Sequence, residues 1–159
     1  MNLLSWLADR PVSSLWLVVV LPFFTIPTVL ISPLVLPEDA TWAHATFHLV
    51  YLPVIALAIA LMVTLLRAPS RSHVRKLYAL ILACQSAAAF GHAGELVVTI
   101  REGFFAAPEA VFEQADHMFF ANFAVFGLML SVLVVIATSI VIGVDRARAR
   151  RRVSRSVPG

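Results

Sequence analysis

Four stretches of the chain are apolar almost without interruption, at 14–36, 43–66, 77–100 and 110–144, and short polar segments separate them. A helix needs about 20 apolar residues to cross the ~30 Å hydrocarbon core of a bilayer, and each stretch meets that length. The pattern predicts an all-α fold, an integral membrane bundle of four transmembrane helices. The first stretch is followed by Ala43-His44-Ala45, which has the form of a signal-peptide cleavage site. Its apolar run, however, exceeds the roughly 7–15 residues of a signal h-region, and Asp9 beside Arg10 weakens the basic flank. It reads as a retained span.

The spans differ in character. The first contains Pro22, Pro27 and Pro33, each lacking a backbone donor, which predicts a kinked or locally unwound helix. Thr25, Thr28 and Ser32 share one of its faces and are placed to bond the freed carbonyls. The third span carries a run of small residues at 87–94, including Gly91 and Gly94, that permits close backbone approach. The fourth covers about 35 residues, roughly 52 Å as a straight helix, so its outer end must project above the hydrocarbon or lie along the interface. Leu3, Leu4, Trp6 and Leu7 look like a short interfacial piece before the first span.

Composition excludes the soluble alternatives. The 159 residues are 60% hydrophobic and only 13% charged, against about 25% charged in a soluble domain. A soluble enzyme, a disordered chain and a free nucleic-acid binder are all incompatible with that balance. The lone Cys84 excludes a disulfide framework and a Cys-rich zinc site. The net charge of +3 is a matter of topology. Arg10, Arg67, Arg71, Arg75, Lys76 and the tail arginines from Arg146 to Arg155 fall on one side of the membrane. Glu38, Asp39, Arg101, Glu102 and Glu109 fall on the other. By the positive-inside rule both termini are cytoplasmic, in a plasma membrane. Residues 1–145 form the transmembrane domain, and 146–159 form a basic tail suited to anionic lipid.

Ionisable groups in a membrane core are expensive, and each calls for a reason. His44 and His48 lie one turn apart on the second span, and His92 and Glu95 share a face of the third. Glu113, Asp116 and His117 lie on the fourth. Four of the five histidines thus fall on three helices. Counting about 20 residues from each inner boundary puts His48 and Glu95 near the outer edge of the core and His92 one turn inside it. His117 comes out about two turns beyond that edge, unless the fourth span tilts or its inner boundary lies earlier. Imidazole and carboxylate without thiolate are ligands of iron, zinc, manganese and copper(II). The spacing therefore predicts a metal site of His44, His48, His92, Glu95 and His117 facing the extracytoplasmic side, with Glu113 or Asp116 as general base. The surplus of ligands suits a dinuclear site, or one metal with outer acids. Each signal also has a plainer reading: His44 as an interfacial histidine, His48 and His92 in interhelical hydrogen bonds, and Glu113 as a first-turn acid that complements the helix dipole. His73 reads as a solvated loop residue, and Gln85 as an interhelical hydrogen-bonding group.

The function expected is that of a membrane metalloenzyme acting on a lipid or other hydrophobic small molecule. Iron is the preferred metal, with zinc or copper as alternatives, and the excess of histidine over carboxylate leans toward a hydroxylase- or desaturase-like oxidoreductase. Zinc would turn the site to hydrolysis. Three other classes remain open. Haem b on His92 with His48 or His117 would make an electron-transfer protein, although the acids around it would then have no role. A metal-free acid/base site would make an isomerase, a cyclase or a proton-coupled carrier. The chain would otherwise be an accessory subunit, its polar residues facing a larger membrane complex; a homo-oligomer is also compatible.

Overall fold

The structure, a computed structural model, describes residues 6, 9–25, 27, 41–103 and 105–156. All regular secondary structure among them is helical. Helix α1 covers Pro11–Phe23, α2 Trp42–Arg67, α3 Ser72–Glu102, α4 Pro108–Phe112 and α5 Ala115–Ser156. Three of these, α2, α3 and α5, are long and apolar enough to cross a membrane, the architecture of a helical membrane protein. Helix α1 is apolar but only 13 residues long. It opens on Pro11, where a missing N–H costs nothing. It ends one residue after Pro22, whose carbonyl accepts the Thr25 hydroxyl at 2.6 Å. The rest of the first expected span, with Thr28, Ser32 and Pro33, lies outside the described residues, as do Leu3, Leu4, Leu7, Glu38 and Asp39.

Helix α3 is the most buried of the long helices, and it forms its most extensive interface with α5 and the next with α2. Lipid tails are as apolar as leucine, so helices in a bilayer are held by close packing and hydrogen bonds rather than by expulsion from water. The α3–α5 pair uses both. A Cβ at Gly91 would lie 2.6 Å from the Phe120 carbonyl oxygen, and one at Gly127 would lie 2.6 Å from the Ala88 nitrogen. The two backbones therefore touch. The Phe120 ring covers Gly94, and Gln85 Nε2 donates to Ser131 Oγ at 3.1 Å in the buried seam. Helix α1 packs on α2 and α5 at the basic end, where Leu15, Val18, Met62, Ile81 and Val135 form the apolar core.

These contacts revise three expectations. The antiparallel register sets Gln85 against Ser131, Gly91 against Phe120 and Ala124, and Glu95 against His117. By that register Leu77 lies opposite the stretch around Thr138, short of Val144. His117 therefore comes level with Glu95 rather than two turns beyond it. The same span does not run unbroken from residue 110: it turns at Glu113, and Gln114 opens α5 by accepting the Met118 N–H at 3.0 Å. His73 lies in the first turn of α3 rather than in a loop, 2.9 Å from Asp145, which also accepts from Arg71 Nη1 at 3.0 Å.

Substituting Gly91 by alanine places a methyl group against backbone that has no rotamer to yield. It is expected to destabilise the protein by roughly 1–3 kcal/mol in denaturant titrations in detergent. Gly143→Ala, where nothing lies within 4 Å of the added carbon, should leave the midpoint unchanged or slightly raised.

Candidate metal centre

The N-terminal turns of α2 and α5 and the last turns of α3 meet at the end of the bundle away from the arginine tail. Two links tie them. Thr41 Oγ1 donates to the Gly103 carbonyl at 2.9 Å, joining the start of α2 to the end of α3. Gly103 sits there at φ 97°, a left-handed position that glycine takes without strain and that stops α3. Arg101 near the end of α3 donates to Asp116 Oδ2 at 2.7 Å, to Glu102 at 2.8 Å and to the Gln114 side chain, which fixes the start of α5.

Within this frame His44, His48, His92, Glu95 and His117 come together. His44 Nε2 and His48 Nε2 are 2.8 Å apart, because an i, i+4 pair projects from one helix face. Glu95 Oε2 lies 3.6 Å from each of them and 3.5 Å from His117 Nε2, and His117 Nε2 is 3.2 Å from His44 Nε2. His92 reaches the group differently. Its Nδ1 faces His48 Nδ1 at 3.1 Å and Glu95 Oε1 at 3.7 Å, so it stands behind His48. His48, His92, Glu95 and His117 are buried, whereas the His44 side chain keeps 23% of its surface. The group opens to the outside along His44.

His44, His48 and Glu95 form a group able to hold a metal ion. Bonds of about 2.1 Å put neighbouring ligand atoms roughly 3.0–3.4 Å apart in octahedral or tetrahedral geometry. The observed separations of 2.8–3.6 Å straddle that range. Two imidazoles and a carboxylate are the donor set of non-haem iron(II) sites and of zinc hydrolases alike. The two acids expected as bases lie apart from the group. Asp116 is committed to Arg101 and accepts the His117 amide at 2.9 Å, while Glu113 is exposed at the end of α4.

Several residues of the site carry no motif. Phe112 of α4 stands edge-on to His44 and to His117, with ring centroids 4.9 and 5.2 Å away. Tyr51 lies against His92 at 3.9 Å, and its buried hydroxyl has no partner among the described residues. Tyr51 was within reach of the sequence, since it follows His48 by three residues on α2. Phe112 was not, because its role depends on the turn at Glu113 that folds α4 over the group. The chain matches no family model, no curated protein and no solved structure.

Among the described residues, Phe112 covers the edge of the group that His44 exposes. Phe112→Ala is expected to raise the rate of diethyl pyrocarbonate modification at His44 and His117 several-fold, read by peptide mass spectrometry. His48, with 1% of its side chain accessible, should stay unmodified in both proteins.

Proposed function

We propose that this protein is a membrane metalloenzyme with one iron ion held by His44, His48, Glu95 and His117, an oxidoreductase of the hydroxylase or desaturase kind for a hydrophobic substrate. The observation that carries the reading is the convergence of three Nε2 atoms, two from α2 and one from α5, on Glu95 Oε2 of α3. When bound, iron would let dioxygen accept two electrons from an external donor and two from a substrate C–H bond, with water as the other product. The remaining roles belong to the chain. With the lone pairs of His44 and His48 Nε2 turned inward, the His48 proton sits on Nδ1 and donates to His92 Nδ1. His92 therefore fixes the ring of His48, as outer partners of metal-bound histidines do. Asp116, held by Arg101, anchors the first turn of α5 and so the position of His117.

Two further features support this reading over its alternatives. The imidazoles are in mutual contact, with Phe47, Tyr51 and Phe112 packed on them, which suits a small ion better than a haem plate. Their single point of convergence favours one ion over two. A small cleft of about 130 Å³ between α1, α2 and α5, lined by Pro22, Phe23, Tyr51 and Leu128, reaches His92. Its apolar lining and its place on the flank of the bundle suit an alkyl group arriving from the bilayer.

Detergent-purified protein, never exposed to chelator, is expected to contain near-stoichiometric iron by plasma mass spectrometry. His48→Ala and Glu95→Gln should lose it. His92→Gln should retain it with roughly 10–100-fold weaker affinity, and His73→Ala should be indistinguishable from the parent. Zinc in place of iron would redirect the reading to hydrolysis, and a folded protein free of metal would overturn it.

A further inference from the structure

A second site lies at the opposite end of the molecule. A cleft of about 240 Å³ opens between the α2–α3 connection and α5. Its floor is formed by Leu65, Tyr78 and Ile142 and its rim by Arg71, Asp145 and Arg146. An adjoining cleft shares Arg71 and Asp145 and adds Arg148. Three guanidinium groups thus face one carboxylate. Asp145 is already engaged by Arg71 Nη1 and by His73, and among the described residues neither Arg146 nor Arg148 has an ion-pair partner. The cleft therefore combines unneutralised positive charge with an apolar floor, at the end of a bundle whose long helices suit a membrane. Guanidinium forks match phosphate oxygens, and basic pockets between transmembrane helices are where anionic lipid headgroups lodge.

We infer that this cleft is a binding site for an anionic phospholipid, with its phosphate between Arg71 and Arg146 and the start of an acyl chain on Leu65, Tyr78 and Ile142. The apolar floor gives the site a second kind of contact beside its charge. Asp145 sets the geometry: by holding Arg71 and His73 it keeps the α2–α3 connection beside α5 and the two sides of the cleft apart.

The test is a lipid titration of the full-length protein in detergent, followed by native mass spectrometry, with phosphatidylglycerol, phosphatidylcholine and inorganic phosphate as separate probes. Phosphatidylglycerol should bind more tightly than phosphatidylcholine. Arg71→Ala and Arg146→Ala should each cost about fivefold in that preference. A tail variant, Arg150→Ala with Arg151→Ala and Arg152→Ala, should keep it. Arg146 is exposed and has no ion-pair partner among the described residues, so Arg146→Ala is expected to leave the unfolding midpoint in phosphatidylcholine unchanged, which separates lost binding from lost folding; Arg71→Ala also breaks the pair with Asp145 and is read beside it. Equal binding of the two lipids, or a loss in the tail variant but not in the cleft variants, overturns the site. Displacement of phosphatidylglycerol by inorganic phosphate at equal concentration would make it a site for free anions instead.

Discussion

At Gly91 and Gly127 the backbones of α3 and α5 touch with no side chain between them. A bilayer gives apolar helices little reason to associate, so this contact must come from fit, and fit at two points along a pair of helices also determines how far one is slid past the other. Glu95 lies one turn beyond Gly91, and His117 lies one turn before the segment that Gly91 touches. Their meeting is a consequence of that register. A slip of one turn, about 5.4 Å, would part them and leave a buried carboxylate beside fewer imidazoles. The polar group and the glycine contacts are therefore one construction.

The helical class, the apolar stretches at 43–66 and 77–100 and the residues of the polar group were legible in the sequence, because hydropathy and i, i+4 spacing are local properties. His44, His48, His92, Glu95 and His117 were all singled out, and the structure brings them together. The distinction between His92 and the others was not legible. It depends on which ring nitrogen faces which neighbour, and that follows from the packing of α2 on α3. The depth of His117 was misjudged for a related reason. Hydropathy marks where a run of apolar residues ends, while the neighbouring helix decides which part of that run lies at the level of the core. His73 and Asp145 are 72 residues apart, and no local pattern announces their contact.

Burial of this many polar groups is costly unless each finds a partner. The chain meets that cost unevenly. His48 faces His44 and His92 through its two nitrogens, and Glu95 faces imidazoles through both oxygens. His117 Nδ1, Tyr51 Oη and Gln85 Oε1 are buried without partners among the described residues. Elsewhere the helices satisfy their own hydroxyls: Thr46, Thr64, Thr99 and Thr138 each donate to the carbonyl one turn back, so they add little polarity to the surfaces that meet lipid or neighbouring helices.

The order of the contributing residues along the chain has a consequence for biogenesis. A growing chain emerges from its N-terminus, so the His44–His48 pair of α2 is made first and Glu95 joins it only when α3 is complete. His117 follows after a further 22 residues of synthesis. Until α4 and the first turn of α5 are in place, the half-built cluster has no Phe112 over it and no Arg101–Asp116 link to hold its edge. Before α5 is made, the chain therefore holds three histidines and a carboxylate of the group without His117. The last long helix closes the door on whatever has been admitted by then.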